Sequence, residues 1–300
     1  MRIRKPGKIR DHLWFLGTEE SCVYLLEGKS RSLLISGGLS YLVPEILRQF
    51  QAFRIDAGRI SNLLILHSHF DHIGIVPFLK RRDPGLEILA SPRAWDILGM
   101  TKAIRTVNDF NRLVAKRMNR EEVYRAYDLD WREEITGTSL KEGDTVDLGG
   151  LGIRILETPG HSSCSITAYV PEIKALFASD AGGIPYKETL LASGNSNFTQ
   201  FQQSLEKLRG LEVEYACADH YGSIVGQEAG RFIQDTIEAA GRERAFIEEV
   251  YRKTGDISSA ARTLTADYFE TCPDWVVSPE IVEGVYRQIV RHIAAALTSL

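Results

Sequence analysis

Six consecutive positions, His67-Ser68-His69-Phe70-Asp71-His72, constrain this chain more than any other stretch. They follow Asn62-Leu63-Leu64-Ile65-Leu66, an apolar run without polar alternation, which is the pattern of a strand buried on both faces. Three imidazoles and a carboxylate therefore fall where a central strand passes into a loop, the place where α/β folds carry their chemistry. Imidazole and carboxylate are the preferred ligands of zinc and of non-haem iron. The hexapeptide is a metal site. One loop alone leaves a metal with too few fixed donors, so the fold must bring others to it.

The later strand ends offer such donors. Glu157-Thr158-Pro159-Gly160-His161-Ser162 ends one strand in a Pro-Gly turn followed at once by histidine, and Phe177-Ala178-Ser179-Asp180 ends the next in aspartate. Cys217-Ala218-Asp219-His220-Tyr221-Gly222 ends the last strand in histidine. His12 and His292 stand apart and are expected to be structural or surface residues. Thr158, Ser162, Ser179 and Asp219 flank the ligand-type residues and are candidates to orient them.

The bulk of the chain bounds the partners. A net charge of −4 argues against broad phosphate contact, and hence against a nucleic-acid partner. No apolar run is long enough to span a membrane. The basic start, Met1-Arg2-Ile3-Arg4-Lys5-Pro6-Gly7-Lys8, leads only into Leu13-Trp14-Phe15-Leu16, too short for the core of an export signal. Cys22, Cys164, Cys217 and Cys272 form no Cys-x-x-Cys pair, which fits a reducing, cytoplasmic setting. Cys164 lies close after His161 and is expected to be a core thiol.

Strands are expected at Leu13–Leu16, Cys22–Leu26, Ser32–Ile35, Asn62–Leu66 and Leu86–Ala90, and again at Thr145–Leu148, Ile153–Glu157, Ser165–Val170, Ala175–Ala178 and Val213–Ala218. Between the two groups, residues 93–135 are polar and helical in period, with Ile104, Val107, Leu113, Val114 and Met118 as the apolar stripe. They read as a helical insertion near the mouth of the site. The expected architecture is α/β, a four-layer αββα sandwich over residues 1–225, followed by a helical subdomain over 226–300. Ile281, Val282, Val285, Ile289, Ile293 and Leu297 share a face of the last helix, which either completes the chain's own cover or forms a homodimer interface.

His-x-His-x-Asp-His, then Thr-Pro-Gly-His, then Ser-Asp, then a late histidine, resembles the metallo-β-lactamase superfamily over residues 10–222. The resemblance implies that His67, His69 and His161 hold one divalent ion and that Asp71, His72 and His220 hold a second, with Asp180 bridging both. The cofactors implied are thus two zinc or iron ions. The Asp71-His72 pair sets the chain apart from the mononuclear persulfide-dioxygenase type, and His69 sets it apart from the flavodiiron type. Within the superfamily the layout looks most like the glyoxalase II, thioesterase and lactonase hydrolases. In length and spacing it is similar to the quinolone-signal response (aminobenzoylacetyl-CoA) thioesterase type.

The activity so implied is hydrolysis of a thioester, lactone or related ester by a metal-bridging hydroxide, with Asp71 and Asp180 as the catalytic carboxylates. Tyr186, by analogy with a tyrosine of lactonase-like members, together with Phe198 and Tyr221, are candidate substrate contacts, with Phe110 and Met118 of the insertion beside them. Two other functions compete. A phosphodiesterase on the same fold needs a basic groove and, in one type, a large insertion that the short interval between Asp180 and His220 lacks. A regulatory protein acting through its helical tail would use Arg242, Arg244, Arg252 and Lys253.

Overall fold

Short apolar stretches broken by glycine and charged turns fold here into strands, and the longer periodic stretches into helices. In the computed structural model, which describes residues 1–298, the chain begins β1 (Arg2–Ile3), β2 (Gly7–Arg10), β3 (Leu13–Gly17), β4 (Cys22–Glu27), β5 (Ser32–Ile35), α1 (Val43–Ala52) and β6 (Ile60–Leu64). It continues α2 (Val76–Arg82), β7 (Glu87–Ala90), α3 (Pro92–Leu98), α4 (Thr101–Arg117), α5 (Glu121–Ala126), β8 (Thr138–Ser139), β9 (Thr145–Asp147), β10 (Gly152–Glu157), β11 (Ile166–Val170) and β12 (Ala175–Phe177). Then come α6 (Phe198–Leu208), β13 (Tyr215–Cys217), β14 (Ser223–Val225), α7 (Gln227–Thr254), α8 (Ile257–Thr271) and α9 (Pro279–Thr298).

The strands form two seven-stranded sheets, in the orders β2-β3-β4-β5-β6-β7-β8 and β1-β14-β13-β12-β11-β10-β9. β5 to β8 run parallel, with α1 and α2 as the crossovers between β5, β6 and β7, whose residues are largely covered on both faces, while β8 at the edge is exposed. Between the sheets, Phe15, Tyr24, Ile35 and Leu64 meet Ile153, Ile155, Ala168 and Phe177. Outside the first sheet, Leu25, Leu34 and Leu63 pack on Val43 and Ile46 of α1 and Val76 of α2. Outside the second, Leu176, Ala216 and Ile224 pack on Leu208 of α6 and on Phe232 and Ile233 of α7. The sandwich has the expected four layers.

Three details differ from the sequence expectations. The last strand is followed by β14, and the basic start of the chain supplies β1, which pairs with it as Arg2↔Ile224 and Ile3↔Ser223. The turn into β14 is made by Tyr221 and Gly222, both at positive φ (61° and 87°). A Cβ on Gly222 would stand 2.1 Å from the carbonyl oxygen of Ile3, so only glycine admits the paired strand. In α4, Ile104, Val107 and Val114 are buried but Leu113 is exposed, as is Met118 just past its end. The buried stripe instead takes in Asn108, whose amide pairs with both backbone groups of Trp131 (2.9 and 2.8 Å).

The C-terminal helices are tied to the sandwich through α7. Its first turns cover the second sheet, and Ala240, Ile247 and Val250 further along pack with Leu264 of α8 and Ile289, Val290 and Ile293 of α9. The apolar face of α9 is thus covered from within the chain. Arg244 bonds Gln202 and Glu248, Arg252 bonds Glu248, and Lys253 bonds Glu249, so these cations are partnered locally. Among the described residues no helix is long and apolar enough to cross a membrane.

Candidate metal centre

The hexapeptide lies just past β6, as its apolar run dictates. Phe70–His72 closes a single 3-10 turn, fixed by the His72 N–H on the His69 carbonyl (3.1 Å). The loop after β5 supports it from below, with the Gly37 N–H donating to the His72 carbonyl at 2.6 Å. The second sheet joins at this level, since the Ile166 N–H of β11 donates to the Leu66 carbonyl (2.9 Å). His161 follows β10 on a tight turn whose Gly160 sits at φ +132°; a Cβ there would lie 2.1 Å from the Phe201 nitrogen of α6. Asp180 follows β12 and His220 follows β13. All seven residues meet at one end of the sandwich.

Their ligand atoms form three overlapping groups, each with atoms within 4.8 Å of one another. The groups are His67, His69 and His161; His67, His72 and Asp180; and Asp71, His72 and His220. Asp180 lies between the outer two, its Oδ2 3.3 Å from His72 Nε2 and 3.4 Å from His161 Nε2, its Oδ1 3.7 Å from His220 Nε2. Asp71 Oδ2 is 3.6 Å from both His72 Nε2 and His220 Nε2.

The surroundings decide which nitrogen each ring presents. His161 Nδ1 faces the Ser193 carbonyl (2.9 Å) and His220 Nδ1 faces the Glu20 carbonyl (2.6 Å). A carbonyl only accepts, so both Nδ1 atoms donate. His72 Nδ1 donates to Asp219 Oδ2 (2.8 Å), which also takes the Ser179 hydroxyl proton (2.5 Å). That leaves the Ser179 oxygen to accept from His67 Nδ1 (3.3 Å). His72 and His220 consequently turn their Nε2 lone pairs on each other at 3.3 Å, while His67 Nε2 and Asp180 Oδ1 are buried without a hydrogen-bond partner. Convergent lone pairs of this kind call for positive charge, and the donor set of imidazole and carboxylate fits a divalent ion.

Electrostatics agree. Burial pushes His67 well below the ordinary imidazole range and takes His69 down to about 3; burial also lowers His161, against the pull of Asp180. Burial opposes charge on His72 too, but Asp180 and Asp71 outweigh it and hold that ring well above the ordinary range. Burial alone would raise Asp180, yet His72, His220 and His161 keep it well below the carboxylate range. Neutral His67, His69 and His161 around ionised Asp180 are what a cation requires, whereas His72, held in its charged form by the two carboxylates, would release a proton to bind one.

Of the flanking candidates, Ser179 and Asp219 orient histidines, whereas Thr158 bonds Thr167 (2.9 Å) and Ser162 bonds Ser165 (2.9 Å) to brace the turn. Cys164 is buried and packs under the loop, 3.3 Å from the Ser68 hydroxyl. A cavity of about 1030 Å³ opens on the centre, with His69, Asp71, His161 and Asp180 in its lining. Phe110 lines it, but the other expected substrate contacts do not. Phe198 is packed in the core with Phe201 and Leu205, because it is the first residue of α6 and faces α7 and α9. Tyr186 and Tyr221 pack edge to face (4.9 Å) and both rings meet Trp275, and Met118 is exposed beyond the end of α4. Trp275, between α8 and α9, takes their place in the wall, 5.9 Å from the His220 ring. No local sequence signal marks it, since it follows no strand end and lies far along the chain from the ligand-type residues.

Comparison with known proteins agrees with this geometry. Residues 17–220 match the family model of the metallo-beta-lactamase superfamily. A hydroxyacylglutathione hydrolase of Rhodopseudomonas palustris (strain BisB5) is 27% identical over 185 residues, 59% of this chain and 55% of its own length. One from Photobacterium profundum is 28% identical over 254 residues, covering 80% of this chain and 76% of that protein. The chain spans little more than half the length of the first of these relatives. Among solved structures, a metallo-beta-lactamase family protein from Thermus thermophilus aligns over 97% of this chain and 95% of its own, with a TM-score of 0.70 at 18% identity. A beta-lactamase domain protein from Burkholderia ambifaria covers all of this chain and 90% of its own, with a TM-score of 0.68 at 14% identity.

Proposed function

Because the chain belongs to the metallo-β-lactamase superfamily, we propose that it is a metal-dependent hydrolase of a thioester, lactone or related ester, using two divalent ions. His67, His69 and His161 would hold the first, Asp71, His72 and His220 the second, and Asp180 would stand between them. The observation that carries this reading is the convergence of ring lone pairs, those of His67, His72, His161 and His220 fixed by a donated Nδ1–H, around unpartnered Asp180 Oδ1 and His67 Nε2. Two such ions, when bound, activate a water molecule at neutral pH and polarise a carbonyl.

The chain's own residues do the rest. Asp219, Ser179 and the carbonyls of Glu20 and Ser193 hold the rings in the ligating orientation. Asp71 and Asp180, both facing the same space, are the bases available to take the proton of an attacking water. A departing thiolate is a weak base and needs little help from a protein acid, whereas a departing alkoxide would take back the proton that Asp71 or Asp180 accepts. The relatives named hydroxyacylglutathione hydrolase support the thioester class.

The test combines elemental analysis of purified protein with hydrolysis of acyl-CoA, S-lactoylglutathione and homoserine-lactone substrates. Two zinc or iron ions per chain, with turnover and metal both reduced in Asp180→Ala, are the expected result. Protein that takes up no metal when it is supplied would refute the assignment.

A further inference from the structure

The cavity beside the metal centre has two kinds of wall. Next to His161, the loop that supplies the Ser193 carbonyl also brings Asn195 and Ser196 to the lining, a polar strip. Elsewhere the lining is mixed but holds a continuous apolar wall: Val107 and Phe110 come from α4, Trp275 from the α8–α9 connection, and Val282 and Ile289 from α9, while Lys102, Arg242, Glu243, Asp267 and Gln288 also line the cavity. This apolar wall begins at the metal centre itself. Phe110 packs edge-on against Phe70 (5.5 Å), which lies between His69 and Asp71, and Trp275 packs against His220 (5.9 Å). The wall is also braced as one surface, because Arg117 at the end of α4 donates to the Trp275 carbonyl (3.1 Å).

Size completes the argument. At about 1030 Å³ the cavity is at the upper end of small-molecule sites, far larger than a two- or three-carbon acyl group fills. A small hydroxyacyl group would leave most of that space to water. An apolar chain would displace this water and take its own surface out of solvent, which stabilises the bound state in proportion to the area removed from water.

Resting on the hydrolase assignment above, we propose that the substrate is a thioester or ester of an extended apolar acyl group, which lies between α4 and α9 against Phe110, Trp275, Val282 and Ile289. The carbonyl is then at the metal centre and the departing thiol or alcohol on the polar strip. In the reaction, the oxygen of water bonds to the carbonyl carbon, the acyl C–S or C–O bond breaks, and a proton ends on the departing atom. A carboxylic acid and a thiol or alcohol result.

Two homologous series separate the two ends of the substrate. Acyl thioesters of N-acetylcysteamine, from acetyl to decanoyl, vary the acyl side; S-alkyl thioacetates, from methyl to octyl, vary the other. With metal-loaded protein, kcat/KM is expected to climb by up to about fourfold per methylene in the acyl series, roughly a hundredfold or more from acetyl to octanoyl, and to stay flat in the alkyl series. Val282→Trp, which fills the α9 wall, should cut the octanoyl-to-acetyl ratio by at least about tenfold at wild-type metal content. Phe110→Ala probes the opposite wall and should cut it too. Calorimetry with 2-decanone, which cannot be hydrolysed, should show binding with a negative heat-capacity change, weakened in Val282→Trp. A rise confined to the alkyl series would overturn the acyl placement. No chain-length trend and no ketone binding would overturn the proposal outright. Ketone binding without turnover of any thioester would instead overturn the hydrolase assignment while upholding an apolar occupant.

Discussion

Asp219 carries more of the site than its position outside the ligand set implies. Its buried carboxylate accepts from His72 and from Ser179, and Ser179 in turn accepts from His67, so one side chain fixes two rings. Asp219→Ala should lower metal affinity by roughly 10- to 100-fold, read by competition with a chromophoric chelator. Unchanged affinity would mean that the rings are held by packing alone. The ligand-type residues themselves were legible in the sequence, because each directly follows an apolar run and Pro-Gly or Ser-Asp turns mark where the run stops. Ser179 and Asp219 could be named beside them but not distinguished from Thr158 and Ser162. The carbonyls of Glu20 and Ser193 were invisible, since every residue carries a carbonyl and only the fold decides which one meets a ring.

Two elements make predictions of their own. The turn before His161 presses against α6 so closely that Gly160→Ala sets a methyl on the backbone of Phe201, at a φ that side chains avoid. Thermal and denaturant unfolding should show a loss exceeding about 1 kcal/mol, with weaker metal binding because His161 moves with the turn. The α7–α9 contact responds to pH. Glu243 of α7 is bonded by the Tyr286 hydroxyl (3.3 Å), and burial raises its carboxyl to about 7. A carboxyl whose folded pKa lies above its unfolded value favours the folded state while protonated, so its contribution is lost as pH rises from about 4.5 through 7. Glu243→Gln should therefore melt higher relative to wild type at about pH 8 than at about pH 5; an offset independent of pH would show that Glu243 titrates normally. Helical period foretold α4 and α9, and it placed Ile104, Val107 and Val114 inward. It misplaced Leu113 and Met118 because apolar identity was counted without regard to which face Asn108 and Asn111 would share.

At the scale of the molecule, the two halves of the sandwich each hold part of the donor set. His67 to His72 belong to the first sheet, and His161, Asp180 and His220 to the second. Bound ions would link the sheets and stabilise the folded state by mass action. Removing them with a chelator should lower the melting temperature by several degrees in one cooperative transition, as calorimetry would show; an unmoved melting temperature would mean that the ions add nothing to the sandwich. The layers were legible because buried strands and amphipathic helices alternate in a countable order. The partnership of β1 with β14 was not, because two-residue strands carry no period and their pairing spans nearly the whole sandwich.

That pairing also orders events in time. Arg2 must find Ile224, and closing so long a loop is slow even when its final cost is small. During refolding, the hexapeptide and its parallel strands can settle from nearby contacts while the β13–β14 hairpin beside His220 still lacks its neighbour. The donor set is then expected to order in stages, the last histidine becoming fixed only as the segment after β13 docks on the β3–β4 turn that supplies the Glu20 carbonyl.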